Sequence, residues 1–417
     1  MNVLSLFDGH SCGQIALNEL CIIPDKYYAS EIDKHAIAQT QLNFPNTIQL
    51  DSVVDVDVSK LEHIDLLIGG SPCQSFSFAG KRNGMSTTEN EEIYTLERYL
   101  ELKSEGFQFE GQSYLFWEYM RILTDIRKYN PDVKFLLENV EMGDKWERVL
   151  SEAIGVFGVH INPALVSAQN RKRIYWTNIR VKEVGLFGEL HSDIPQPKDE
   201  GILLKDILEK EVDEKYFLSE KLIKCFEQRM NISKGYEFKP TDGNKKGNTL
   251  LQKAGSYSTD NYICVSQRGR EACLTPKRTE YGKQIHKQYE SGLVTEQRKN
   301  IQHLEPREDG KTNTITSVQK DNLVIQINRS IESGGRQPYQ HNRVYDTNGI
   351  SPCLNTDKRA PSIPFNYRIR RLTPNECARL QTIPEWYKWE CSDTQQYKMI
   401  GNGWTVKVIM HILKFLK

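Results

Sequence analysis

The chain has 417 residues, enough for two domains with separate cores. Lys plus Arg and Asp plus Glu each total 55, so overall charge marks no polyanion binder and any such surface must come from local clusters. Nine cysteines, an odd number without a CxxC pair, fit neither a disulfide framework nor a zinc cage and suit a reducing cytosol. Residues 2–7 read as a strand, with no basic leader before them, and no apolar run is long enough to span a membrane. Asp8-Gly9-His10-Ser11-Cys12-Gly13 follows as a glycine turn, and residues 14–20 have helical spacing. Strand, glycine turn and helix suit a nucleotide-type cofactor or simply a tight connection, and the segment alone does not choose.

Residues 26–30 are a second predicted strand, ending at Glu31-Ile32-Asp33. An acid there either accepts hydrogen bonds from ribose hydroxyls or favours the start of a helix at 34–43. A third short strand, 47–50, ends at Asp51. Three strand ends in a row, each polar, favour a cofactor crevice. The fourth strand, 64–68, runs into Gly69-Gly70-Ser71-Pro72-Cys73-Gln74-Ser75. The glycines end the strand and admit close approach of backbone, and Pro72 stiffens the turn. Cys73 is thereby presented at the carboxyl edge, where open α/β sheets bind ligands. A lone cysteine is more often a small buried hydrophobe; on a rigid turn at a strand end it is a candidate nucleophile.

Residues 76–112 are rich in Gly, Ser, Glu and Lys, with a charged helical run at 91–103, and read as a mobile loop, a candidate lid. A helix at 114–129 carries Leu115, Tyr119, Ile122, Leu123 and Ile126 on one face, and a strand at 134–137 ends in Glu138-Asn139-Val140. That carboxylate faces the same edge as Cys73. A helix at 146–155 and a strand at 163–167 precede Gln169-Asn170-Arg171-Lys172-Arg173 and the apolar Ile174-Tyr175-Trp176. Three cations in three residues before a strand suit a solvated loop or phosphate clamps, and the company of a nucleophile and an acid favours the clamps. From Val181 the composition turns to Gly, Asn, Thr and Lys. Residues 248–250 leading to 260–263 resemble 313–315 leading to 321–324, so short strands in a β-rich module are expected. Arg268, Arg270, Lys277, Arg278, Arg336, Arg343, Lys358 and Arg359 punctuate it as a nucleic-acid surface would. From 367 onward, Thr373, Pro374 and Glu376 form a capping box for a helix through Leu380, and Ile400-Gly401-Asn402-Gly403-Trp404 opens an apolar helix at 405–416.

Together these segments resemble the DNA cytosine-5 methyltransferase family. The resemblance rests on six blocks in the family's order: Phe7-Asp8-Gly9 with Gly13, Gly70-Ser71-Pro72-Cys73-Gln74, Glu138-Asn139-Val140, Gln169 to Arg173, Arg371-Leu372-Thr373-Pro374 with Arg379-Leu380-Gln381, and Ile400-Gly401-Asn402-Gly403. It implies a Rossmann-like class I methyltransferase domain at 1–180 plus 367–417 and a smaller, β-rich target-recognition domain at 181–366. It implies S-adenosylmethionine as methyl donor, S-adenosylhomocysteine as product and no metal. Cofactor contacts carry over to Phe7, Asp8, Gly9, Gly13, Glu31, Ile32, Asp51, Ser52, Gly70, Pro72, Leu115, Asn402 and Gly403. Asp8 and Cys12 stand where many bacterial members have smaller residues, and Gly403-Trp404 replaces the usual Ser-Val.

The chemistry explains the residue types. Cytosine C5 is a poor nucleophile, so the Cys73 thiolate first adds to C6, and the resulting enamine attacks the sulfonium methyl. Glu138 protonates N3 as the adduct forms, and Arg171 and Arg173 hold the base and its phosphate. The base must be flipped out of the duplex. Gln74, Ser75, Arg268, Arg270, Arg336 and Arg343 are the expected DNA contacts. The expected setting is a monomer in a prokaryotic or phage-infected cytoplasm, acting on double-stranded DNA, with a cognate restriction endonuclease as a partner; a tRNA cytosine-5 methyltransferase is the alternative.

Overall fold

The computed structural model describes residues 1–72, 85, 86, 89, 91–109, 111–228, 238–256, 260–266, 274–286, 288, 292, 295, 302–306 and 367–416. One seven-stranded sheet holds β1 (Asn2–Leu6), β2 (Lys26–Ser30), β3 (Ile48–Gln49), β4 (Leu66–Gly70), β5 (Lys134–Val140), β6 (Val159–Ile161) and β7 (Arg173–Thr177). The strand order is β3-β2-β1-β4-β5-β7-β6. β1 to β5 run parallel, and β7 is antiparallel to both its neighbours. Consecutive residues such as Leu66, Leu67 and Ile68, or Phe135, Leu136 and Leu137, are all completely buried. Side chains alternate faces along a strand, so both faces of the sheet are covered and the strands read as unbroken apolar runs. The Rossmann-like α/β fold is present, with its switch point between β1 and β4, where the connection order reverses.

Helices α1 (Cys12–Glu19), α2 (Lys34–Asn43), α4 (Phe116–Tyr129) and α5 (Asp144–Ile154) connect the strands. The expected capping box is formed: Thr373 Oγ1 accepts from the Glu376 amide at 3.2 Å and Glu376 Oε2 from the Thr373 amide at 2.9 Å. Arg370 closes on the same carboxylate with two contacts of 2.7 Å. Two elements differ from expectation. Residues 163–167 are not a strand; Pro163 starts a 3-10 turn, Pro163–Leu165, capped by Asn162, because proline has no N–H for a ladder. The strand lies just before it, as β6. A helix also forms at Asp393–Asn402, where no apolar stripe announced one.

The segment expected as a mobile lid is, over its described part, built into the core. Met85 and Ile93 are fully buried, and α3 (Leu96–Ser104) buries Tyr99 and Leu102. Leu96, Tyr99 and Leu102 recur every three residues, an apolar stripe hidden inside a charged run. Completely buried Glu118 of α4 fastens α3, accepting from Tyr99 Oη at 2.5 Å and Lys103 Nζ at 2.6 Å. It also accepts from Arg121 Nε at 2.7 Å, and Arg121 reaches on to the carbonyls of Val53 and Val56 at 3.1 Å each.

The chain divides into two compact units, Met1–Cys264 with Ile369–Lys417, and Val265–Arg368. Residues 181–264, expected with the recognition module, therefore pack within the unit that carries the sheet. Two backbone bonds tie Gly247 to the segment before β7: Gly247 N–H to the Ala168 carbonyl at 2.7 Å, and Asn170 N–H to the Gly247 carbonyl at 3.0 Å. In the other unit, Leu274–Arg278 and Gln302–Pro306 form an antiparallel pair that includes Lys277 and Arg278. Among the described residues no helix is long and apolar enough to cross a membrane, and no group of three or more His, Cys, Asp or Glu is placed to hold a metal.

Replacing Glu118 by Ala leaves Lys103 and Arg121 without their buried partner and is expected to cost about 3 kcal/mol in urea unfolding. Glu101→Ala, on the exposed side of α3, is expected to leave the midpoint unchanged. Equal effects of the two substitutions would show that α3 is not held through Glu118.

Candidate active site

The parallel register of β4 and β5 sets Gly70 directly opposite Glu138. A Cβ at residue 70 would stand 3.1 Å from Glu138 Oε2 and 2.8 Å from Trp404 Nε1, so only glycine lets these side chains close over the strand end. Arg173, first residue of β7, meets Glu138 Oε1 through Nε at 2.9 Å, and both side chains are 13% exposed. Trp404 Nε1 donates to the other oxygen at 3.2 Å. The expected acid thus has one fixed donor on each oxygen. Its neighbour Asn139 turns inward and donates from Nδ2 to the Ser71 hydroxyl at 3.0 Å, which locks the turn that leads into Pro72. Cys73, Gln74, Ser75, Arg268, Arg270, Arg336 and Arg343 lie outside the described residues.

Arg171 has a different environment from Arg173. It is buried, and its guanidinium donates to the carbonyls of Leu250 at 3.0 Å, Gly401 at 3.0 Å and Gly403 at 3.1 Å. Three of its N–H groups thus go to main-chain carbonyls. Gln381 joins it, donating from Nε2 to the carbonyls of Ile400 at 2.9 Å and Gly403 at 3.2 Å. Gln381 Oε1 accepts from Thr405 Oγ1 at 2.8 Å, and Gln169 Oε1 accepts from the Leu250 amide at 2.7 Å. The blocks at 169–173, 379–381 and 400–405 are therefore one hydrogen-bonded cluster. Sequence reasoning placed Gln169 and Gln381 inside their motifs but assigned them no role.

The other side of the crevice is the turn after β1. Phe7, Gly9 and Ser11 take left-handed φ values of 58°, 59° and 64°, and Gly9 N–H donates to Glu31 Oε2 at 2.8 Å. Glu31 Oε1 accepts from the amides of Ile32 and Asp33, each at 2.8 Å, so the β2 carboxylate joins two loops. Ile32 beside it is 72% exposed. Exposed Asp51 follows β3 with φ 53°, and Ser52 caps the 3-10 turn Val53–Asp55. Half-buried Leu115 heads α4, and exposed Asn402 ends the helix before Gly403. Gly13 instead faces the interior, where a Cβ would stand 2.2 Å from Ile68 Cδ1.

Asp8 and His10 are both buried in this turn. Tyr27 Oη donates to Asp8 Oδ1 at 2.9 Å, while Oδ2 has no hydrogen-bond partner. Burial pushes the Asp8 carboxyl up to about 6 and His10 down to about 4. His10 and Cys12 lie against Gly403; a Cβ there would stand 2.4 Å from His10 Cε1. Cys12 Sγ meets the Trp404 carbonyl at 3.6 Å, and burial lifts its thiol to about 12, so this cysteine packs and does not react. The crevice fits S-adenosylmethionine: Glu31 offers acceptors for ribose hydroxyls, Ile32 an apolar face for a purine, and Asp8 an unpartnered buried oxygen for a cationic group.

The Asp8 carboxyl is raised from 3.8 to about 6 on folding, so its contribution to stability is full below pH 4 and is lost as pH rises through 6. Asp8→Asn removes that loss. Measured against wild type at each pH by chemical unfolding, the variant is expected to gain up to about 3 kcal/mol between pH 4 and pH 7. The paired comparison cancels His10, whose lowered pKa acts in the opposite sense. A difference that does not change with pH would show that Asp8 is not desolvated.

Comparison with known proteins agrees with this geometry. The family described as C-5 cytosine-specific DNA methylase matches residues 1–417. Orphan methyltransferase M.SPRI of Bacillus phage SPR is 28% identical over 468 aligned positions, covering 100% of this chain and 97% of its own length. Type II methyltransferase M.BanI of Aneurinibacillus aneurinilyticus is 26% identical, with 93% of this chain and 88% of its own covered. Among solved structures, the Entamoeba histolytica methyltransferase EhMeth shares the fold at a TM-score of 0.55 and 13% identity, over 100% of this chain and 97% of its own. With its strand order, its Glu138–Arg173 pair and a family match along the whole sequence, the chain belongs to the C-5 cytosine-specific DNA methylases.

Proposed function

We propose that the chain transfers a methyl group from S-adenosylmethionine to C5 of a cytosine flipped out of a specific duplex DNA sequence, through a covalent bond between Cys73 and C6. The observation that carries this reading is the Glu138 carboxylate, fixed by Arg173 and facing Gly70, three residues before Cys73. S-adenosylmethionine supplies the methyl group as a sulfonium. Cys73 adds to C6 as the thiolate, Glu138 delivers a proton to N3, and Arg173 steadies the acid and the base edge together. Once C5 is methylated, water takes the C5 proton, the freed C–H pair re-forms the C5–C6 double bond, the thiolate leaves C6 with the C–S pair, and N3 returns its proton to Glu138. Arg171 supports the site through the Gly401–Gly403 backbone.

Sequence specificity is assigned to residues 181–366, whose arginines, lysines and amides suit base edges in the major groove. The family's description as a DNA methylase supports DNA as substrate, and the type II name of M.BanI supports a cognate restriction endonuclease as partner, whereas the orphan name of M.SPRI supports action without one. A monomer acting in the cytoplasm completes the reading.

Cys73→Ala is expected to abolish methyl transfer while retaining cofactor binding, and duplex DNA containing 5-fluorocytosine is expected to trap wild type only. Glu138→Gln keeps the shape without the transferable proton and is expected to slow single turnover about 10²-fold or more. Labelled S-adenosylmethionine with unmethylated duplex DNA or tRNA decides the substrate; transfer to tRNA alone would overturn the proposal. Grafting residues 181–366 onto a relative's catalytic blocks is expected to change the methylated site, and an unchanged site would place specificity elsewhere.

A further inference from the structure

The backbone on both sides of Trp404 is held by hydrogen bonds. The backbone ahead of it is clamped by Arg171 and Gln381, which converge on the Gly403 carbonyl at 3.1 and 3.2 Å. The backbone behind it is held where Gln381 Oε1 accepts from Thr405 Oγ1 and the Gln381 carbonyl accepts from the Val406 amide at 2.9 Å. Residue 403 has no room for a side chain against His10. With both flanks fixed, the indole lies over Gly70 and delivers its N–H to Glu138 Oε2 at 3.2 Å, opposite Arg173 on Oε1.

From this geometry we infer that Trp404 is a positioning residue for the Glu138 proton, an inference that rests on Glu138 being the acid of the proposed reaction. An N–H aimed at a carboxylate oxygen favours the ionised form and holds one rotamer. Protonation of Glu138 removes the negative charge that strengthens the Trp404 bond, so the protonated acid binds the indole more weakly. Trp404 thereby makes the acid readier to release its proton to N3. Its N–H also keeps the carboxyl beside Gly70, where the turn to Cys73 begins.

The test uses the full chain, unmethylated bacterial genomic DNA and labelled S-adenosylmethionine, with single-turnover rates followed over pH. Trp404→Phe is expected to move the alkaline limb of the rate profile upward by about one pH unit. On the plateau below that limb the rate is expected to fall several-fold, because a weaker acid releases its proton less readily, while the Kd for S-adenosylmethionine stays within about two-fold. Because Phe is smaller than Trp, the second variant carries 3-benzothienylalanine at position 404, of indole shape without the N–H; it is expected to show the same shift. A readout free of cofactor and turnover is the ¹⁵N-indole resonance of Trp404, expected to titrate with Glu138 in wild type and to stop titrating in Glu138→Gln. An unchanged pH profile in both 404 variants overturns the inference, as does a shift caused wholly by lost cofactor binding. Full activity of Glu138→Gln instead overturns the parent reading of Glu138 as the acid, so the two failures are told apart.

Discussion

The Gly403 carbonyl accepts from Arg171 and Gln381, and the carboxyl edge of the sheet is assembled through that convergence. A buried guanidinium is costly unless its donors are paired, and here its partners are main-chain carbonyls at 250, 401 and 403. Loss of the arginine would remove its bonds to all three carbonyls, leaving Gly403 to Gln381 alone; loss of the turn would take two carbonyl partners from the arginine. This mutual dependence fixes the loop from 400 to 405 to within a narrow range of positions. Fixed backbone is what allows one side chain of that loop to meet Glu138 across a distance that glycine at 70 leaves open.

The turn after β1 shows the same economy with electrostatics. Asp8 and His10, two residues apart, are both desolvated, which raises the carboxyl to about 6 and lowers the imidazole to about 4, so at neutral pH His10 is uncharged while Asp8 keeps most of its negative charge. The turn after β1 therefore keeps a buried negative charge on Asp8, beside the Glu31 carboxylate that ties two loops together. Aromatic packing completes it: the His10 ring meets those of Tyr387 and Trp389 at 5.9 and 5.4 Å.

Much of the sheet was legible in the sequence because parallel strands covered on both faces are unbroken apolar runs, and their ends carry the polar motifs. Glu138 and Gly70 were readable for that reason. Other features depend on contacts that sequence order hides. Arg171 and Arg173 look alike in a run of cations; strand β7 begins at Arg173 and brings it to Glu138, while Arg171, before the strand, meets carbonyls some 230 positions away. Residues 91–103 read as charge because the eye counts Glu, Arg and Lys, whereas three apolar residues at helical spacing decided where they packed. The strand misplaced at 163–167 failed on a single missing N–H. Trp404 stood out in the sequence only as an anomaly, since nothing local reveals that residue 404 lies over residue 70.

The unit carrying the sheet is discontinuous, being made of Met1–Cys264 and Ile369–Lys417 with another compact unit between. Its first helix, α1, packs on the helix Val406–Leu413, joining the earliest and latest parts of the fold. During synthesis on a ribosome, the strands and the Glu138–Arg173 pair emerge long before residues 381 and 400–405 exist. Until those residues arrive, the Arg171 donors lack two of their carbonyl partners and α1 lacks its cover. The nascent chain therefore carries a sheet without a finished site, and the order of translation itself keeps the Glu138 site incomplete until the intervening unit has been made.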